Sequence, residues 1–155
     1  MKKNIKRVIA QNKKAEFNYE ILEKYIAGIV LEGHEVKSIK IFGINLNGVF
    51  AIVKRSEIFL IGLNIPPYQP GNLTLRYNPK RDRKLLLKKT EIKNIINKLN
   101  QKRLTLIPLR VYNIKGLIKI ELGIAKHKKK FEKKEKIKER EIDREIKKEI
   151  KNYNL

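Results

Sequence analysis

The 155 residues contain no cysteine and no tryptophan, only two histidines, and 16 acidic residues against 38 Lys and Arg. Without cysteine there is neither a disulfide framework nor a thiolate metal site, a composition compatible with a reducing compartment. Long apolar runs are missing too. The longest, IFLIGL at 58–63, is far short of the roughly 20 residues that a membrane-spanning helix needs. The start, MKKNIKRVIAQNKK, is basic but lacks the apolar stretch of a secretory signal, so a cytoplasmic location with no membrane partner is expected. Catalytic signatures are equally scarce. His34 and His127 lie in no HExxH or CxxC spacing, no GxxxxGK[ST] loop occurs, and Ser38 and Ser56, the only serines, lie in no nucleophile-elbow context. Glu35 and Lys37 read as neighbouring charges on a surface turn. The expectation is a protein without enzymatic activity, metal or cofactor.

What the chain does have is positive charge: a formal +22 and a pI near 10.2. Such self-repulsion calls for a polyanionic partner. The surplus is not confined to the C-terminal end. Residues 126–151 hold 13 Lys and Arg against 7 Asp and Glu, a surplus of six that leaves the other sixteen charges to the body.

Hydrophobic patterning predicts a β-rich body. Residues 17–32 suggest two short strands separated by Glu23 and Lys24, and 33–40 a single helical turn carrying Val36 and Ile39. Segments 44–53 and 57–65 read as a hairpin around KRSE, and PPYQPGN ends the pattern because proline donates nothing to a ladder. Ile92, Ile95, Ile96 and Leu99 have the i, i+3, i+4, i+7 spacing of an amphipathic helix, with Thr90 as its N-cap. LTLIPLRVY and LIKIELGIA then flank a turn at Asn113 to Gly116. Ile118, Ile120, Leu122 and Ile124 alternate with Lys119, Glu121, Gly123 and Ala125, which buries one face and turns Lys119 to solvent. The architecture expected is a mainly β, OB-like antiparallel barrel over residues 1–127, with two or three accessory helices, followed by a basic tail over 128–155.

The tail is rich in helix formers and has no Gly or Pro. Lys136, Arg140, Arg144 and Lys148 form a basic stripe beside Glu141, Glu145 and Glu149 and beside Ile142, Ile146 and Ile150. Like charges four apart disfavour an isolated helix by about 0.2–0.5 kcal/mol per pair. With little apolar area to offset ordering entropy, the tail is expected to be disordered alone and helical against a polyanion. The other reading is a solvated tail, or a helix whose isoleucines pack on the body or on a second copy.

A second basic cluster, NPKRDRKLLLKK at 78–89, gathers Lys80, Arg81, Arg83, Lys84, Lys88 and Lys89 around three leucines. Such residues supply phosphate contacts. Phe17, Tyr19, Tyr68 and Tyr77 on a β-scaffold suit stacking on unpaired RNA bases, and each serves equally well as core packing.

Ordered motifs over roughly residues 9–141 carry a resemblance. They are Asn12-Lys13-Lys14-Ala15, Ala27-Gly28-Ile29, G-x-E-V-K-S at 33–38, Ile65-x-Pro67-Tyr68 with Gly71-Asn72, P-x-R-x-R-K-L-L-L at 79–87, Leu104-Thr105-Leu106-x-Pro108-Leu109, Glu121 through Lys126, and Ile137 through Glu141. In their order and spacing the chain resembles the SmpB family, the tmRNA-binding or SsrA-binding proteins of bacterial ribosome rescue. The resemblance implies an OB-like barrel that grips the tRNA-like domain of tmRNA. It also implies a basic tail that turns helical in the vacant mRNA path and decoding centre of a stalled small subunit. Alanyl-tmRNA would arrive with elongation factor Tu and GTP, and the protein would be a monomer when RNA-bound. Carried over by position, the RNA-contacting set is Asn12, Lys13, Lys14, Lys37, Arg81, Arg83, Lys84, Leu86, Lys119, Lys126, Lys128 and Lys129. The ribosome-binding tail set is Phe131, Lys133, Lys134, Lys136, Lys138, Arg140, Arg144 and Lys148. The chain departs from the family pattern at Ile26, where the family has an acidic residue, at Glu16-Phe17 for Arg-His, at Phe42-Gly43 for Gly-Lys, and at His127 for glycine. The alternative reading is a structural ribosomal protein or a general basic RNA-binding protein.

Overall fold

The computed structural model describes residues 6–69, 76–101, 103–128 and 130–153, and in the last of these segments the side chains of 137–149 and 151. Among the described residues, seven antiparallel strands and four helices follow in the order β1 (Lys6–Gln11), α1 (Lys13–Asn18), β2 (Tyr19–Ile29), α2 (Gly33–Phe42), β3 (Phe50–Lys54), β4 (Glu57–Ile61), β5 (Arg83–Leu86), α3 (Lys89–Leu99), β6 (Leu104–Ile114), β7 (Leu117–His127) and α4 (Lys130–Tyr153). The sheet order β1-β6-β3-β4-β5-β2-β7, with β7 also paired to β6, closes six strands into a ring and adds β1 to its edge. Closure removes the exposed edges of an open sheet. The mainly β, OB-like barrel expected from the patterning is the fold found.

The β6–β7 hairpin is the longest ladder in the ring, running from Leu104↔Lys126 to Ile114↔Leu117. Its turn places Lys115 and Gly116 at positive φ (52° and 82°), the backbone twist that two-residue hairpins favour. Ile118, Ile120, Leu122 and Ile124 all enter the barrel core, as alternation requires. Pro108, which has no N–H, sits at the register shift between Pro108 and Arg110, where a ladder bond is already lost. The opposite face of this hairpin is buried as well, because α1 covers it with Ala15 over Ile107, Leu109 and Ala125. Gly123 is small for that reason: a Cβ there would stand 2.8 Å from Leu109 Cδ1. Asn12 caps α1, its Oδ1 accepting from the Ala15 N–H while its Nδ2 donates to the Pro108 carbonyl.

Several elements differ from the sequence expectation. Residues 19–29 form one strand, not two, because a bulge between Ile21 and Glu23 absorbs the polar break. The hairpin β3–β4 is shorter than expected, ending where Gly48 and Gly62 adopt positive φ. Helix α3 starts one residue before Thr90, and its orphan N–H at Lys88 is satisfied by the Glu91 carboxylate, not by a threonine cap. Ile95 is buried, with Ile92 and Leu99 packed beside it. The turn expected at 33–40 is a ten-residue helix whose buried residues are Glu35, Ser38 and Ile39. Of the PPYQPGN break, residues 70–72 lie outside the described residues.

Glu35 is therefore no surface charge. Its carboxylate is fully buried and receives Arg83 Nε at 2.9 Å and Nη2 at 2.6 Å, the Tyr77 hydroxyl at 3.2 Å, and the Arg81 guanidinium. Arg83, also fully buried, donates further to the carbonyls of Leu63, Arg81 and Pro79. Burial alone would raise the Glu35 pKa, but the Glu32 N–H and the two arginines outweigh it and hold the carboxyl below its usual range. Burial, and then the Glu35 charge, push the Tyr77 hydroxyl up.

Removing one partner of such a pair leaves the other charge buried and unmatched, so R83A is expected to lose about 3–5 kcal/mol in urea unfolding, with R83M/E35L recovering much of it. Because the folded-state pKa of Glu35 is depressed, its contribution is present above about pH 4.5 and is lost as pH falls through the folded value. E35Q is expected to flatten that part of the acid limb; an unchanged limb would contradict the assignment.

Candidate nucleic-acid interface

Strand β5 is four residues long and alternates strictly: Arg83 and Leu85 are buried, while Lys84 and Leu86 face outward. β5 pairs with β2 as Gly28↔Leu86, and β2 pairs with β7 as Gly28↔Lys119. Leu86, Gly28 and Lys119 therefore form one cross-strand row on the outer barrel wall. Gly28 has a specific place in it: a Cβ there would lie 3.3 Å from Leu86 Cβ and 3.6 Å from Lys119 Nζ. The missing side chain leaves a notch between an apolar and a cationic wall. Leu86 is 52% exposed. Lys119, expected to project into solvent, is half-buried, its ammonium drawn over the glycine.

Ile26, two residues before Gly28 on the same face of β2, extends this surface and is exposed, with Lys24 two residues further along, its Nζ 3.7 Å from a Glu121 carboxylate oxygen. Glu121 also accepts the Tyr112 hydroxyl at 2.7 Å, and Lys6 lies over the Tyr112 ring. Ile26, which stands where an acidic residue was expected, thus sits between Lys24 and Gly28 on the outer face. Splitting β2 at Glu23-Lys24 hid from sequence reasoning that Ile26 and Gly28 share one outer face.

The other residues of the predicted set divide by their surroundings. Arg83 and Asn12 are withdrawn from it: the first spends its guanidinium on Glu35 and backbone carbonyls, the second caps α1, and both are buried. Arg81 is tied to Glu35, and Lys84 donates to Glu57 at 2.9 Å. Lys37 is exposed, 5.9 Å from the Tyr68 ring centroid. Lys13, Lys14, Lys126 and Lys128 gather where α1 meets the end of β7. Lys128 bonds the Asn18 carbonyl through its backbone and the Glu16 carbonyl through Nζ. This second cluster is separated from Lys119 by seven residues of β7, about 23 Å at the usual rise. Lys129 lies outside the described residues, as do the side chains of Phe131, Lys133, Lys134 and Lys136.

Helix α4 carries Lys138, Arg140, Arg144 and Lys148 exposed. Arg140 stands 5.4 Å from the Phe17 ring centroid, and Ile137, Arg144, Lys13 and Lys14 line the same shallow depression between α4 and α1. Ile142 and Ile146 are exposed. No cluster of three or more metal-ligating side chains occurs among the described residues, and no helix among them is long and apolar enough to cross a membrane.

Comparison with known proteins agrees with this geometry. A family model described as SmpB protein matches residues 9–152. The SsrA-binding protein of Acetivibrio thermocellus is 49% identical over 132 residues, which is 85% of this chain and 85% of that protein. That of Thermosipho africanus is 49% identical over 127 residues, 81% of this chain and 85% of the relative. A solved chain from the structure described as "tmRNA-SmpB: a journey to the center of the bacterial ribosome" superposes with a TM-score of 0.64 at 43% identity, covering 78% of this chain and 85% of that one. The ordered motifs, the closed barrel and these likenesses over most of its length place the chain in the SmpB family of SsrA-binding proteins.

Proposed function

We propose that this chain binds the tRNA-like domain of tmRNA and delivers it to ribosomes stalled on messages that lack a stop codon. The observation that carries the reading is the Leu86–Gly28–Lys119 row, an apolar wall and an ammonium facing each other across a notch on a strongly basic barrel. Such a surface packs against a sugar or base on one side and a phosphate on the other. The exposed lysines 13, 14, 37 and 126, with the half-buried Lys84 and Lys128, add sequence-independent attraction. Arg83 and Asn12 hold the scaffold and take no part.

Helix α4, in this reading, is the ribosome-facing element. Its basic stripe lies along the vacant mRNA path and decoding centre of the small subunit, with alanyl-tmRNA arriving in company with elongation factor Tu and GTP. The stripe's like-charge spacing leaves the helix weak by itself, so a polyanionic channel supplies the stabilisation the sequence withholds. The RNA-bound protein is a monomer, works in the cytoplasm and performs no covalent chemistry.

Leu86→Ala is expected to weaken binding to the tRNA-like domain about 5-fold or more with an unchanged circular dichroism spectrum, since the side chain is half in solvent. Lys119→Ala is expected to reduce the slope of log affinity against log salt by about one. Equal affinity of the wild-type chain for the tRNA-like domain and for a random RNA of the same length would overturn the reading. For the tail, the cut belongs after Lys128, because Lys126 and His127 pair with Glu20 and Tyr19 in the sheet. The shortened chain is expected to keep its RNA affinity and to lose peptide tagging of stalled ribosomes. Unchanged tagging would remove α4 from the mechanism.

A further inference from the structure

The C-terminal end of α2 carries a second surface that the Leu86 row does not reach. Phe42 is 60% exposed, a large ring at the last residue of the helix, just before Gly43 takes a positive φ of 72°. It borders an open depression of about 700 Å³ whose other walls include Asn45, Asn47, Asn64 and Lys80. Asn47, Asn64 and Lys80 are exposed. Asn45 accepts the Asn47 backbone N–H at 2.9 Å, which shapes the loop and leaves the Asn47 side-chain amide outside that bond. An exposed aromatic ring has no use for water, and carboxamides beside it present a donor and an acceptor each.

We propose that this depression is a binding site for a single unpaired nucleotide. Its base stacks on Phe42, its hydrogen-bonding edge meets the carboxamides of Asn47 and Asn64, and its phosphate pairs with Lys80. The volume falls within the range of small-ligand sites. Base stacking on an aromatic ring tolerates any base, while carboxamides supply the donors and acceptors that read one. The strong positive charge of the body favours a nucleotide over an uncharged or cationic ligand. The proposal rests on the RNA-binding reading above but uses different residues, so the two can fail separately.

The test titrates a uridine hexanucleotide, an adenosine hexanucleotide and the free nucleoside monophosphates into the full-length protein, following the side-chain amide resonances of Asn47 and Asn64 and the affinity by NMR. The wild type is expected to shift both amides with at least one hexanucleotide. Phe42→Ala is expected to weaken that binding about 5- to 150-fold, the range that loss of one base stack supplies, and to leave affinity for the tRNA-like domain within 2-fold of the wild type. Leu86→Ala is expected to show the opposite pattern. Monophosphates that match the hexanucleotides would identify a free nucleotide as the ligand, whereas much weaker monophosphate binding assigns the site to an RNA strand. Amides that stay unmoved, or Phe42→Ala binding both hexanucleotides as the wild type does, would overturn the proposal. Loss of tRNA-like-domain binding in the wild type would overturn the broader reading instead.

Discussion

The buried ion pair between Glu35 and Arg83 is the constraint from which the outer surface follows. Glu35 comes from α2 and Arg83 from β5, and the same guanidinium ties down the carbonyls of Leu63, Pro79 and Arg81. The long connection between β4 and β5 is thereby anchored at both ends, with Tyr77 adding bonds to Glu35 and to the Ile65 carbonyl. A charge buried this completely tolerates little displacement, since an unpaired carboxylate in the interior costs several kcal/mol. Once Arg83 points inward, the two-residue period of a strand sends Leu85 into the core and Leu86 out over Gly28. The interior electrostatics thus set the exterior chemistry.

This separation of duties explains how a chain of +22 folds at all. Among its basic residues, Arg83 is consumed inside, and Arg81, Lys84, Lys24 and Lys98 each have an acidic neighbour within ion-pairing distance. The solvent-facing pairs among them, Lys84 with Glu57 and Lys98 with Glu23, contribute at most about 1 kcal/mol each, so outside the Glu35 cluster the barrel is held mainly by its apolar core. Cations without such neighbours among the described residues, Lys13 and Lys126 among them, are left at the rim where a polyanion can reach them. Surface charge is available for binding because the core does not depend on neutralising it.

Much of the fold was legible in the sequence where burial follows period. The isoleucine stripe of α3 and the inward isoleucines and leucine of β7 read correctly because their spacing matches the period, whereas the other face of β7, expected to meet solvent, is mostly covered by α1 and β6. Helix α2 was read as a single turn because the side chains it buries include a glutamate and a serine, whose pairing with Arg83 and with the Pro66 carbonyl no apolar count registers. Strand β2 was split in two because Glu23 and Lys24 interrupt its hydrophobic residues at the bulge. Within the site, Leu86 and Lys119 were named from motif resemblance, but the glycine between them was not, since a notch is a property of the pairing register and not of any one residue. Arg83 was misassigned for a related reason: in R-D-R-K it is indistinguishable from its neighbours until the strand's in-out period is applied.

The central claim is that the wall around Leu86, Gly28 and Lys119 is the surface that meets folded RNA, apart from the tail. Hydrogen exchange of the full-length protein with and without the tRNA-like domain of tmRNA tests it most directly. The account predicts added protection in β5, at residues 26–29 of β2 and 117–121 of β7, with α4 exchanging as it does in the free protein. Protection confined to α4, with the three strands unchanged, would contradict it.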